Sequence, residues 1–264
     1  MTTLTTFQDY LSGLLTQFDD LVDTYDHTMT YSPELERLLD EYSTFITDEA
    51  NKNVWEQLIH EDNNELNQLV VKLRKQSARC VAIMEKYRAL KLLNHHESMT
   101  DYFKNIESSI ESEFGSFHVT SKSKVLLVGS GSFPMTLLLI AKRTGADVIG
   151  IDIDDEAVQL GRKVVEKLGK GLNVRLEQSP VENIDTLKAV THVIFSSTVE
   201  QKYDLLDHLH PLTHKDVVVA MRYGDQLKSL FNYPSREVDE QKWRKVNAIV
   251  RPEHVFDIIL YQKA

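Results

Sequence analysis

Gly129 and Gly131, one residue apart, and an acid about twenty residues further on, Asp152, form the pattern with the clearest chemical meaning in this 264-residue chain. Glycines at such a turn adopt backbone angles closed to other residues and let a ligand approach the main chain, because no Cβ intervenes. A carboxylate at the end of the following strand accepts hydrogen bonds from the two hydroxyls of a ribose. Pro134 suits the start of the intervening helix, where its missing N–H costs nothing. Gly129, Ser130, Gly131, Pro134, Asp152 and Ile153 therefore outline a nucleoside pocket. The structural alternative is a βαβ unit whose switch point binds nothing. Ser179, Val181 and Glu182 follow a third strand, where an adenine would be held, and Ser196-Ser197-Thr198 close a fourth at the same mouth. Hydroxyls at strand ends serve equally well as helix caps. Asp154 or Asp155 suits the cap of the helix after Asp152, with Asp155 favoured. Arg222 ends a fifth strand, and its planar fork would grip a carboxylate through two hydrogen bonds or form a salt bridge to a neighbouring acid.

Behind these residues stand two textures. Up to residue 116 the signals are helical: Phe7, Leu11, Leu14, Leu15, Phe18, Leu21, Val22 and Tyr25 recur at spacings of three and four. Ser32-Pro33 reads as an N-cap followed by proline at the first helical position. A long helix carries Leu66, Leu69, Leu73, Cys80, Met84 and Tyr87, and a last one is expected over residues 101–113, capped by Thr100 and ended by Gly115. From Phe117 onward strands alternate with helices. Strands are expected at 124–128, 147–151, 173–177, 192–195, 216–221 and 255–261, and helices at 134–144, 156–168, 200–209 and 241–249. The fold class is α/β: a helical domain, residues 1–116, then an open parallel sheet with helices on both faces, residues 117–264.

Composition narrows the function classes. A net charge of −10 disfavours a nucleic-acid partner. Cys80 is the single cysteine, so no internal disulfide forms, which fits a reducing cytoplasm. The first residues lack the blocks of a signal peptide, and no apolar run reaches the length of a membrane span. The ten histidines do not form a metal motif: His95-His96 point apart, His208 and His210 do not share a helix face, and His60-Glu61 lacks a second histidine. No metal site is expected, and Cys80 reads as packing within an apolar stripe.

The turn also weakens two readings and leaves adenosine binding intact. A dehydrogenase would complete it with a third glycine, where this chain has Pro134, and an ordinary methyltransferase carries an acid where this chain has Leu127. The stretch Val128-Gly129-Ser130-Gly131-Ser132-Phe133-Pro134-Met135-Thr136 resembles the signature of the nicotianamine synthase family. Met221-Arg222-Tyr223-Gly224 with Phe231-Asn232-Tyr233-Pro234, and Asp101-Tyr102-Phe103-Lys104-Asn105-Ile106, are similar to two further family segments. The resemblance runs from about residue 84 to the C-terminus and is nearest to the bacterial opine-metallophore enzymes of that family.

This resemblance implies a Rossmann-like class I S-adenosylmethionine-dependent transferase domain behind the helical bundle, with S-adenosylmethionine as co-substrate. It implies transfer of the 3-amino-3-carboxypropyl (aminobutanoyl) group to the α-amine of histidine, D-histidine by the same resemblance, with methylthioadenosine released and no metal required. Glu85 falls where the family has a glutamate implicated as base, and Tyr102 falls in its aromatic segment. Arg222, Tyr223, Asn232 and Tyr233 become substrate-binding candidates. Without the resemblance, Glu85 reads as a surface glutamate paired with Lys86 or Arg88, and Tyr102 as a core aromatic. A small-molecule substrate, a homodimer, and passage of the product to an opine dehydrogenase are the further expectations. A methyltransferase of unusual first motif and a non-catalytic nucleoside-binding protein are the competing classes.

Overall fold

The computed structural model describes residues 4–59, 64–94, 113 and 117–264. The chain forms two compact units, and each draws on non-contiguous segments. The first comprises Met1–Tyr87, Tyr223–Ser235 and Arg251–Asp257; the second comprises Arg88–Arg222, Arg236–Val250 and Ile258–Ala264. The expected helix over 101–113, its cap Thr100 and end Gly115, and the histidines at 60, 95 and 96 lie outside the described residues, apart from Glu113.

Four helices build the first unit: α1 (Leu4–Asp23), α2 (Ser32–Thr47), α3 (Glu49–Leu58) and α4 (Asn64–Leu93), whose last turns belong to the second unit. The periodic apolar residues do what their spacing dictates. Phe7, Leu11, Leu14 and Phe18 of α1 are buried against Leu35, Leu38 and Tyr42 of α2 and Leu73, Cys80, Met84 and Tyr87 of α4. Asp48 caps α3, its carboxylate accepting from the Asn51 N–H at 3.0 Å. Helix α2 departs from expectation, because Tyr31 is the cap residue and Ser32 is already helical. The Ser32 hydroxyl turns inward, buried and without a partner, instead of reaching the helix N–H groups.

A loop far away in sequence completes this core. Leu227, Leu230 and Phe231 pack among the helical residues, and the rings of Tyr42 and Phe231 lie 5.4 Å apart. The Tyr42 hydroxyl donates to the Leu230 carbonyl at 2.8 Å, and Arg74 Nε donates to the Ser229 carbonyl at 2.6 Å.

The second unit is built on a seven-stranded sheet of order β3-β2-β1-β4-β5-β7-β6. The strands are β1 (Lys124–Val128), β2 (Asp147–Asp152), β3 (Val174–Gln178), β4 (His192–Phe195), β5 (Val218–Tyr223), β6 (Trp243–Ile249) and β7 (Asp257–Lys263). Strands β1 to β5 pair in parallel; the apolar runs of β1, β2, β4 and β5 are buried as a two-sided sheet requires, while edge strand β3 buries Leu176. Helices α5 (Met135–Thr144), α6 (Asp155–Leu168) and α7 (Lys202–Leu209) connect them. Phe133, Met135 and Leu138 meet Leu160 and Val164 of α6 in one buried cluster, joined by Ala89 and Leu92 from the end of α4.

Two expectations for the C-terminal region are corrected. Residues 243–249 form strand β6, not a helix, and β6 runs antiparallel to β7, so the sheet is mixed. Trp243, Val246 and Ile249 stand at spacings of three, which imitates a helical period. The ladder pairs Lys245 with Tyr261 and Asn247 with Leu260, leaving Val246 as the extra residue of a bulge. One inserted residue turns a strand period of two into an apparent three. Strands β5 and β7 each begin and end two residues later than expected, and the later end carries Arg222 into β5.

Candidate cofactor and acceptor site

Strand register brings the expected cofactor residues to one edge. Val128 pairs with Ile151 and Phe195, and Asp152 pairs with Gln178, so Gly129, Ile153, Ser179 and Ser196 leave adjacent carboxyl ends of β1 to β4. Strand order reverses between β1 and β4, where open parallel sheets hold ligands.

The turn itself is tightly built. Gly129 and Gly131 hold φ of 79° and 63°, the left-handed region that favours glycine. The N–H groups of Gly129 and Ser130 both donate to the Ile151 carbonyl at 3.0 Å. The Gly131 N–H donates to Asp152 Oδ2 at 2.9 Å, and the Asp154 N–H donates to Oδ1 at 3.1 Å. Two main-chain donors thus fix the carboxylate plane, while each oxygen keeps a further lone pair for a ribose hydroxyl.

A Cβ on Gly129 would lie 2.6 Å from Val199 Cγ2 and 3.1 Å from Ser196 Cβ, so the loop after β4 packs directly on the turn. The Ser130 side chain faces β2 instead, where a Cβ on Gly150 would meet its own at 2.7 Å. Its hydroxyl is buried without a partner, so Ser130 offers a ligand its main chain only. Pro134 precedes α5 as its cap residue. Asp154, and not the favoured Asp155, caps α6 by accepting from the Ala157 N–H at 3.2 Å.

Ile153 is 87% exposed beside Asp152, an apolar surface that the face of a nucleobase would cover. Ser179 is half-buried and donates to the Pro180 carbonyl. Val181 is buried at the start of a 3-10 turn, and Glu182 approaches His208 Nδ1 at 3.2 Å on the surface. The Ser196 N–H donates to the Val128 carbonyl at 3.0 Å, and its hydroxyl lies 3.2 Å from that of Thr198.

Arg222 belongs to the second unit, and Glu85, Tyr223, Asn232 and Tyr233 belong to the first. In the second, Arg222 Nε and Nη2 meet the two oxygens of Glu113 at 2.6 and 2.8 Å, with Glu113 fully buried. The fork that suited a substrate carboxylate here holds an internal one, which is the salt-bridge alternative. Sequence reasoning passed over Glu113, because nothing local pairs it with an arginine 109 residues away.

In the first unit, Asn232 is 0% exposed, and its amide donates to the carbonyls of Val255 at 2.6 Å and Lys228 at 3.3 Å. The Tyr233 carbonyl accepts from the Gly224 N–H at 3.3 Å, and the Arg74 guanidinium stands 5.6 Å over the Tyr233 ring. A Cβ on Gly224 would lie 2.6 Å from the Lys228 carbonyl oxygen. These positions close their own loop tightly, and Tyr223 is buried. Glu85 sits half-buried on α4 between Met84 and Lys86, and Lys86 Nζ lies 5.5 Å over the Tyr25 ring. Tyr102 lies outside the described residues.

Burial pushes the Cys80 thiol up to about 12, which leaves it a packing group. Among the described residues no cluster of three or more His, Cys, Asp or Glu side chains is placed to hold a metal ion.

The sheet order, the glycine turn and the oriented Asp152 define the second unit as a Rossmann-like domain of the class I S-adenosylmethionine-dependent transferases. The nicotianamine synthase protein family matches residues 11–264, and the chain belongs to that family. Among curated relatives, the L-histidine 2-aminobutanoyltransferase of Yersinia pestis is 31% identical over 258 residues, covering 96% of this chain and 94% of its own. That of Pseudomonas aeruginosa is 28% identical over 230 residues, covering 87% and 86%. The crystal structure of MtNAS in complex with MTA and tNA shares the fold, with a TM-score of 0.76, 17% identity and 98% coverage of both chains. A variant of MtNAS in complex with S-adenosylmethionine gives a TM-score of 0.73 at 17% identity, covering 97% of this chain and 98% of the other.

Proposed function

We propose that this protein transfers the 3-amino-3-carboxypropyl group of S-adenosylmethionine to the α-amine of histidine, releasing methylthioadenosine. The observation that carries the reading is the family match over residues 11–264, together with curated relatives at 27–31% identity named for this reaction. S-adenosylmethionine supplies an activated leaving group, since its sulfur gains an electron pair when the bond to the transferred γ-carbon breaks.

The residues provide binding and a proton acceptor. Gly129 and Gly131 bring main chain against the nucleoside, and Asp152, held by the Gly131 and Asp154 N–H groups, takes the ribose hydroxyls. Ile153 covers one face of the adenine. Val181 shapes the apolar floor below it, and Ser179 and Ser196 offer hydroxyls at the rim.

The α-amine of histidine is mostly an ammonium at neutral pH and has no lone pair to attack with until a base takes its proton. We assign that proton to Glu85, with Tyr102 as the alternative base. The nitrogen then forms its bond to carbon as the carbon–sulfur bond breaks, and alignment of the three atoms supplies much of the rate. Tyr223 and Tyr233 border the acceptor, while Asn232 and Arg222 act through the segments they hold. Leu127, in place of a methyltransferase acid, agrees with a methionine arm held so that the long chain departs. A sulfonium leaving group calls for no electrophilic metal. An enzyme of this reaction works in the cytoplasm, where its co-substrate is made, and its diamino dicarboxylate product is a chelator that an opine dehydrogenase would extend.

The test is incubation with S-adenosylmethionine and each histidine enantiomer, followed by mass spectrometry. Both enantiomers are needed: the curated relatives are named for L-histidine, and resemblance to the opine-metallophore branch implies D-histidine. Methylthioadenosine with a histidine adduct is the expected outcome, whereas S-adenosylhomocysteine would establish methyl transfer instead.

A further inference from the structure

Lys202 opens helix α7 and is fully buried, an unusual fate for a lysine in the first turn of a helix. Burying an ammonium is costly unless it is hydrogen-bonded, and a cation at a helix N-terminus opposes the helix dipole. A methionine would fill similar space without either penalty. The compensation is specific: Lys202 Nζ donates to the Arg222 carbonyl at 2.8 Å and to the Ser197 carbonyl at 3.4 Å.

Those two carbonyls lie at the carboxyl ends of neighbouring strands, Ser197 just after β4 and Arg222 in β5. Ser197 follows Ser196, whose N–H is bonded to the end of β1 and whose Cβ packs on Gly129. Arg222 carries the guanidinium gripped by Glu113. A single amine therefore joins the loop that packs on the glycine turn to the carboxyl end of β5. The stronger bond is on the Arg222 side.

We propose that Lys202 is a positioning residue of the transferase reaction, holding the carboxyl end of β5 in register for the acceptor. This rests on the aminobutanoyl-transfer reading. The cofactor turn keeps its own bonds to Ile151 and Asp152, so loss of the amine affects the acceptor more than the co-substrate.

The experiment compares wild-type protein with Lys202→Met, measuring methylthioadenosine release against histidine concentration and S-adenosylmethionine affinity by calorimetry. The expected result is a rise of at least about tenfold in KM for histidine, with S-adenosylmethionine affinity within about twofold of wild type. Lys202→Gln, which keeps a shorter donor, should fall between the two, and it replaces Lys202→Met in the comparison if that variant does not fold. An unchanged KM for histidine, a lower melting temperature as the sole effect, or equal losses for both ligands would overturn the proposal. Absence of methylthioadenosine with wild-type protein would overturn the transferase reading itself, and this proposal with it.

Discussion

Asp152 Oδ2 accepts the Gly131 main-chain N–H at 2.9 Å, so the acid at the end of β2 and the glycine turn after β1 are one hydrogen-bonded unit. The Asp154 N–H holds the other oxygen at 3.1 Å. Such a carboxylate is set before a ribose arrives, and binding then loses little to its ordering. Asp152→Asn keeps the shape but replaces one acceptor with a donor and removes the charge. S-adenosylmethionine affinity should fall about ten- to a hundredfold, the scale of one or two charge-assisted hydrogen bonds. Calorimetric titration of wild type and variant measures it, and equal affinities would remove Asp152 from the nucleoside site.

Glu85→Gln is nearly isosteric and cannot accept a proton at neutral pH. If Glu85 takes the proton of the histidine ammonium, kcat should drop by about a hundredfold or more while S-adenosylmethionine affinity stays close to wild type. Turnover should recover partly at alkaline pH, where the free amine is already present. Wild-type turnover across the pH range would assign the proton elsewhere.

Lys228 and Asp257 form a buried pair at 2.7 Å in the first unit, and the amine also donates to the Arg251 carbonyl at 2.7 Å. The lysine lies in the loop whose leucines and phenylalanine complete the helical core. Lys228→Met leaves the Asp257 carboxylate with the Arg251 N–H at 2.7 Å but, among the described residues, no opposite charge bonded to it, and removal of one partner of a buried pair costs about 3–5 kcal/mol. Denaturant unfolding should show a loss of that size, with much of it recovered in the double variant Lys228→Met, Asp257→Leu. A double variant no more stable than the single one would show that Asp257 is not the stranded group.

His192 lies within β4, and burial lowers its pKa below 6.5, against a smaller opposing effect of a hydrogen bond to the Phe117 main chain. The native state then binds fewer protons than the unfolded chain between the lowered value and 6.5. Stability should fall as pH drops through that window and level off below it. His192→Gln should flatten this part of the profile in thermal unfolding at closely spaced pH values. An identical slope in wild type and variant would place the acid sensitivity in another group.

Local chemistry made the centre of this protein legible. Gly129, Gly131, Pro134 and Asp152 could be read directly, because a strand, a tight turn and a helix in succession need those residue types at those spacings, and their neighbours in sequence are their neighbours in space. The helices of the first unit were legible for the same reason, since a periodicity of three and four reports one buried face. Strand β6 was misread because its bulge at Val246 imitates a helical period, and only pairing with β7 reveals the extra residue. Tertiary structure alone decided that Leu227, Leu230 and Phe231 belong to the helical core, that Glu113 occupies the fork of Arg222, and that the Lys202 amine is buried. Each of these depends on contacts between residues remote in sequence, or on where a long side chain turns. The spacing of residue types carries no record of either.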